Sequence, residues 1–195
     1  THCASPIEEH LREAVSYARS NKKARIHFTV SKEHQYDFEA IIDKVKPAIE
    51  AEHEMDITVN YSYQNEATDS VALHLDNELF RDENELLLFR PGGHGALIEN
   101  LNRLTADVIF IKNIDNVIQN HLNEISLYKK ALAGILLDKQ QQIFNYLRLL
   151  ESKEVNKELL QEIVLFIETK LHFEVVEDLS KYTKESKIDY LINYL

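Results

Sequence analysis

The chain of 195 residues carries 33 acidic against 22 basic side chains, a formal charge of −11, with 44% apolar residues, 4 glycines, 3 prolines and 1 cysteine. Nucleic-acid binding depends on Lys and Arg displacing condensed counterions, so a chain this acidic excludes DNA and RNA as partners. The lone Cys3, with no catalytic-thiol motif around it, excludes a disulfide scaffold, and no apolar run approaches the roughly 20 residues of a membrane span, so a cytoplasmic protein with no membrane partner is expected.

Ser5 caps a first helix, Pro6 suits its first position and Glu8 completes a capping box, with Ile7, Leu11, Ala14, Val15 and Ala18 on one apolar face. Arg25 to Val30 reads as a strand. A helix carrying Phe38, Ile41, Ile42, Val45 and Ile49 follows, and Pro47 is expected to kink or end it. Ile57, Val59, Tyr61 and Tyr63 alternate as in a strand with one face on the core. Val71 to Phe89 reads as short strands in a meander or hairpin, with turns at Asp76–Asn77 and Asp82–Glu83–Asn84. No internal repeat is visible.

Three of the four glycines then fall within Pro91-Gly92-Gly93-His94-Gly95, ahead of a helical pattern at Leu97, Ile98, Leu101 and Leu104. Val108-Ile109-Phe110-Ile111 is an unbroken apolar run, the pattern of a parallel strand buried on both faces, and it ends in Asn113-Ile114-Asp115-Asn116. Beyond Leu122 the patterns are helical: Leu127 to Leu137, Ile143 to Leu150, Leu159 to Leu171 and Ile188 to Leu195. The fold class expected is α/β, with a Rossmann-like mixed-sheet core over residues 1–120 and a mainly helical region over 121–195.

A glycine loop opening a helix lets a ligand approach the backbone, and free N–H groups at a helix start face an anion or a ring carbonyl. Open α/β sheets bind ligands at the carboxyl ends of their strands. His94 adds a side-chain donor, Asp115 an oxygen ligand suited to Mg²⁺ with substrate phosphates, and Asn113 and Asn116 groups that orient sugar hydroxyls. The alternative is a tight glycine turn and an Asp-Asn helix cap, and spacing alone leaves the two balanced. Of the nine histidines, none forms a zinc spacing. His27 and His74 read as sheet-face residues, and Tyr182, Tyr190 and Tyr194 as packing residues. The charged stretch from Glu151 to Glu158 reads as a solvated helix connection. Lys112 has a better claim than Arg81 to neutralise phosphate charge.

The stretches Phe89 to Leu101 and Ile109 to Asn116, with Ile7 to Leu11, His27 to Ser31 and Thr68 to Ala72, resemble a bacterial family of unknown function related to the nucleotide-diphospho-sugar transferase fold. The glycine loop and the Asn113–Asn116 segment are also distantly similar to UTP–glucose-1-phosphate uridylyltransferases and UDP-N-acetylhexosamine pyrophosphorylases. That resemblance implies nucleotidyl transfer between UTP and a sugar-1-phosphate, with Gly93, beside Gly92, on the uracil and His94 on the sugar phosphate. It implies Asp115 near the nucleotide phosphates and Mg²⁺, Asn113 beside it toward the sugar, and Gln64 reading the uracil edge. Such enzymes open with a strand and a G-G-x-G-T-R loop that grips the triphosphate, a segment these 195 residues lack. The chain is therefore expected to be a central fragment with no robust turnover alone. The alternatives are a non-catalytic nucleotide-sugar-binding module and a helical interaction scaffold.

Overall fold

A computed structural model describes residues 4–118, 120–152, 155–175 and 178–195 of the chain. Cys3 and part of the Glu151–Glu158 stretch lie outside the described residues. The chain is mixed α/β and forms two compact units, Thr1–Lys129 and Lys130–Leu195.

In the first unit, helix α1 (Pro6–Tyr17) starts where Ser5 accepts a hydrogen bond from the Glu8 N–H. The apolar stripe follows the helical period, and Leu11 and Val15 are fully buried. Burial on this scale contributes roughly 1.5–3 kcal/mol for each large apolar side chain. Strand β1 (Arg19–Ser20) turns back antiparallel onto β2 (Lys23–Thr29) through Asn21 and Lys22, both at positive φ. Helix α2 (Gln35–His53) then crosses over to β3 (Asp56–Ser62), which pairs parallel with β2, Ile26 against Val59 and Thr29 against Ser62.

Pro47 does not end α2. It stands on the exposed side, as does Asp43, whose carbonyl loses its N–H partner, and the helix runs on to His53. Ile42 and Ile49 of α2, with Met55, Ala24 and Ile57, close the core against α1. Alternation gives the sheet two unlike faces. Ala24, Ile26, Phe28, Ile57, Val59 and Tyr61 pack toward that core, and His27, Thr29, Asn60 and Ser62 share the other face.

The segment from 70 to 90 forms a three-sided figure. β4 (Ser70–Val71) pairs antiparallel with β5 (Phe89–Arg90), and single bridges join Leu73 to Leu79 and Arg81 to Leu87. The Phe80 N–H donates to the Ala72 carbonyl, Leu88 to Phe80, and Ala72 to Leu88, at 2.8–3.1 Å. Everything recurs after eight residues, including the positive φ of Asn77 and Glu85 at the two turns. The chain does contain an internal repeat, then, one of backbone only. Residues 72–79 and 80–87 share just the closing leucine, and side chains on an exposed ribbon are under little packing constraint.

Two further expectations need correction. The helix after the glycine loop is short, a 3₁₀ turn (His94–Leu97) followed by α3 (Ile98–Asn102). Val108 to Ile111 does not form a strand, since Ile109 and Ile111 are exposed and the segment runs along α1 instead of joining the sheet. Its apolar side chains have another partner there, as the Phe110 ring meets Tyr17 edge-on at 5.0 Å.

Helix α4 (Leu122–Glu151) begins in the first unit, and its later residues Tyr146 and Leu150 belong to the core of the second. That core adds Ile163, Phe166 and Ile167 of α5 (Lys157–Lys170) and Ile188 and Leu191 of α6 (Lys184–Ile192). Burial, the Glu162 hydrogen bond and its charge push the Tyr146 phenol up to about 12. Tyr190 and Tyr194 pack on the same core. No helix among the described residues is long and apolar enough to cross a membrane.

Candidate functional site

The parallel pair β2–β3 ends at Thr29 and Ser62, and the chain leaving β3 reaches Gln64 after two residues. A polar network gathers at this carboxyl edge. The Ser62 hydroxyl lies 2.8 Å from His27 Nε2 and 3.2 Å from Thr29 Oγ1, and Asn100 Nδ2 donates to it at 2.8 Å. The same Asn100 amide donates to the Tyr63 carbonyl at 2.8 Å, and Asn65 Nδ2 to Glu99 at 3.2 Å. Asn100 is buried, so its two bonds fasten α3, and the glycine loop ahead of it, to the end of β3. Burial lowers the His27 pKa below its ordinary value, favouring the neutral ring.

Gln64 and the glycine loop meet here. A Cβ on Gly92 would stand 2.7 Å from the Thr68 carbonyl oxygen and 3.5 Å from Gln64 Nε2, so only glycine lets the loop pack this closely on the turn after β3. Gln64 Nε2 donates to Asp69 at 3.1 Å. Gly93 and His94 are exposed, and a Cβ on Gly93 would meet nothing within 4 Å. These two residues leave an open approach to the loop backbone.

The second group of candidates stands on α1. Lys112 donates to the carboxylate of Glu13, which is 1% exposed and also accepts from Tyr17 at 2.9 Å and from the Ile118 N–H at 2.8 Å. Burial pushes the Glu13 carboxyl up, but those bonds and the charge of Lys112 outweigh it and hold it below its usual range. Burial and the Glu13 carboxylate push the Tyr17 phenol up. Burial and the like charge of Lys112 lower Lys129, whose ammonium lies 4.2 Å from the Tyr17 ring centre. The charge of Lys112 is thus committed to Glu13.

Asn113, Asp115 and Asn116 form an exposed turn, with the Asn116 N–H on the Asn113 carbonyl at 3.1 Å. No hydrogen bond or ion pair among the described residues joins this turn to the glycine loop. Nor does any group of three or more His, Cys, Asp or Glu side chains among them stand where it would hold a metal ion. Asp115 offers one carboxylate, a donor set that fits Mg²⁺ only together with ligand phosphates. The clefts between α2 and β3 and at the Phe80–Asn84 turn contain none of these residues.

Sequence reading passed over Glu13, Ser62 and Asn100. Asn100 stands inside the pattern Leu97, Ile98 and Leu101, and a polar residue on a face that is about to be buried is the signal it gave, whereas Glu13 stands off the apolar stripe of α1, between Glu9, His10, Ser16 and Tyr17, and gave none. A family model described as "Domain of unknown function (DUF4301)" matches residues 1–195. No curated protein and no solved structure matches the chain.

Proposed function

Starting from a chain that belongs to the DUF4301 family, a family whose description assigns no activity, we propose a nucleotide-sugar-binding unit of the nucleotide-diphospho-sugar transferase type, cytoplasmic, from a nucleotidyltransferase-like protein. One observation carries the reading: Gly92 packs against the turn after β3 with the Gln64 amide beside it, at the carboxyl ends of two parallel strands. A uracil ring laid over the exposed Gly93 backbone finds amide groups of the loop for its carbonyls, with Gln64 for its edge and His94 for a phosphate. Asp115, with Asn113 and Asn116, supplies the Mg²⁺ and sugar side.

The commitment of Lys112 to Glu13 favours the non-catalytic form of this reading, because the cation nearest Asp115 in sequence is already neutralised. Binding of UTP or a UDP-sugar then needs no transfer step.

Calorimetric titration with UTP, UDP-glucose and glucose-1-phosphate, with and without Mg²⁺, tests it. Gln64→Ala and Gly93→Ala are expected to weaken uridine nucleotides about tenfold, roughly 1.4 kcal/mol, with the melting temperature unchanged in Gly93→Ala. Asp115→Ala is expected to remove only the Mg²⁺-dependent part. Equal binding of ATP and UTP, or none of either, refutes the uridine reading.

A further inference from the structure

Glu13 is the most buried charged side chain among the described residues, and both of its oxygens are taken by one loop. Oε2 receives Lys112 Nζ and Oε1 receives the Ile118 N–H, so the chain leaves this carboxylate at Lys112 and returns to it at Ile118. Everything between is the turn carrying Asn113, Asp115 and Asn116. The same face of α1, three and four residues to either side, holds two more points. His10 Nε2 lies 3.0 Å from the Ile114 carbonyl oxygen, and Tyr17 meets Phe110 edge-on. Four charged or titratable groups surround the carboxylate: Lys112, Tyr17, Lys129 with Nζ at 3.8 Å, and, one turn away, His10.

We propose that Glu13 is the positioning residue of the Asn113–Asn116 turn, a buried carboxylate that closes the loop from Lys112 to Ile118 and so fixes where Asp115 stands. The role rests on reading that turn as the Mg²⁺ and sugar-phosphate side of the site. Glu13 touches no ligand itself. A loop whose two ends meet on one group keeps its shape without the strand pairing that residues 108–111 lack. The turn is thereby tied to a helix of the core, and its position depends on the charge of one side chain.

The test pairs Glu13→Gln, which keeps an acceptor for the Ile118 N–H but loses the charge, with the double variant Glu13→Gln/Lys112→Met, which also removes the lysine left unpaired. Hydrogen exchange is followed at 112–118 and at β2 and β3. Glu13→Gln is expected to speed exchange at 112–118 at least tenfold with the strands unchanged, and the double variant, which lacks the charged closure altogether, to stay at least tenfold faster than wild type. Near-wild-type protection in the double variant traces the effect to the unpaired lysine and overturns the role. Unchanged exchange at 112–118, or the same acceleration everywhere, overturns the role. If Glu13→Gln fails to fold, the double variant carries the comparison with wild type, and loop protection in it close to that of wild type overturns the charge-closed loop.

Titration with UDP-glucose and Mg²⁺ separates this role from the reading beneath it. Affinity about tenfold lower in Glu13→Gln and equally low in the double variant supports both. Wild-type binding with no loss in Glu13→Gln overturns the role and leaves the nucleotide reading standing. No binding by wild type overturns the nucleotide reading, and with it the role in ligand positioning, whatever the exchange shows.

Discussion

The two groups of candidate residues are anchored by different physics. The glycine loop is held by a neutral amide, Asn100, that spends its donors on Ser62 and the Tyr63 carbonyl, whereas the Asp115 turn is held by a buried charge, Glu13. A neutral anchor has a modest net effect and a moderate cost when cut. A buried charge adds little net stability over a well-packed apolar pair, yet removing one partner leaves the others uncompensated. The glycine loop should therefore tolerate change better than the turn.

The largest effect expected is from Glu13→Ala. With Lys112 and Lys129 left without a carboxylate, urea denaturation should report a loss of about 3 kcal/mol. Because the folded-state carboxyl titrates below its usual range, its contribution is complete above the unfolded carboxylate value of 4.5 and fades as pH falls through the lower folded value. Melting curves of wild type and variant should converge under acid, and curves that stay equally far apart at pH 3 would break the comparison.

Next come the two ends of the neutral anchor. Gly92→Ala drives a Cβ to 2.7 Å from the Thr68 carbonyl oxygen, backbone that cannot swing away, and should cost about 1–3 kcal/mol by the same assay. Asn100→Leu leaves the Ser62 hydroxyl and the Tyr63 carbonyl short of a donor, also at about 1–3 kcal/mol. Its exchange signature should be confined to 91–102, and loosening that spreads to 112–118 would show that the two anchors act as one.

Smaller still is the pH response of His27. Its folded-state pKa is depressed by burial, so its contribution is present above the ordinary value of 6.5 and is lost as pH falls toward the folded value. His27→Gln should flatten the shallow fall of melting temperature just below pH 6.5. Gly93→Ala should change stability by less than about 0.5 kcal/mol, since its Cβ meets nothing, which makes it the clean probe of ligand approach.

Much of the architecture was legible because local signals agreed with tertiary packing. Ser5 and Pro6 start α1 as read, the alternation from Ile57 follows the core face of β3, and the helices α4 to α6 cover the apolar patterns after Leu122. Failures came where one signal had two physical solutions. The apolar run Val108 to Ile111 finds its partner in α1 through Phe110 and Tyr17 rather than in the sheet, and composition does not distinguish a strand neighbour from a helix neighbour. Pro47 is tolerated on the exposed side of α2, beside an equally exposed Asp43, a matter of placement invisible in the residue itself. Within the candidate site, the glycine loop was visible by its rarity in a glycine-poor chain. Glu13 and Asn100 were not, because their roles depend on residues about a hundred and about forty positions away.

The three-sided arm between Ser70 and Arg90 sets a rule for how this region tolerates length change. Each eight-residue step supplies one edge of a closed figure and returns the chain in the same phase, so that Leu73, Arg81 and Phe89 hold equivalent corners. An insertion or deletion of any other size breaks the ring of hydrogen bonds through Ala72, Phe80 and Leu88, and shifts every later side chain out of phase. Length in this arm is quantised: the spacing between corners is fixed at eight, and the turns at Asp76–Asn77 and Asp82–Asn84 are held by carboxylates that accept from the N–H groups of Glu78, Asn84 and Leu86.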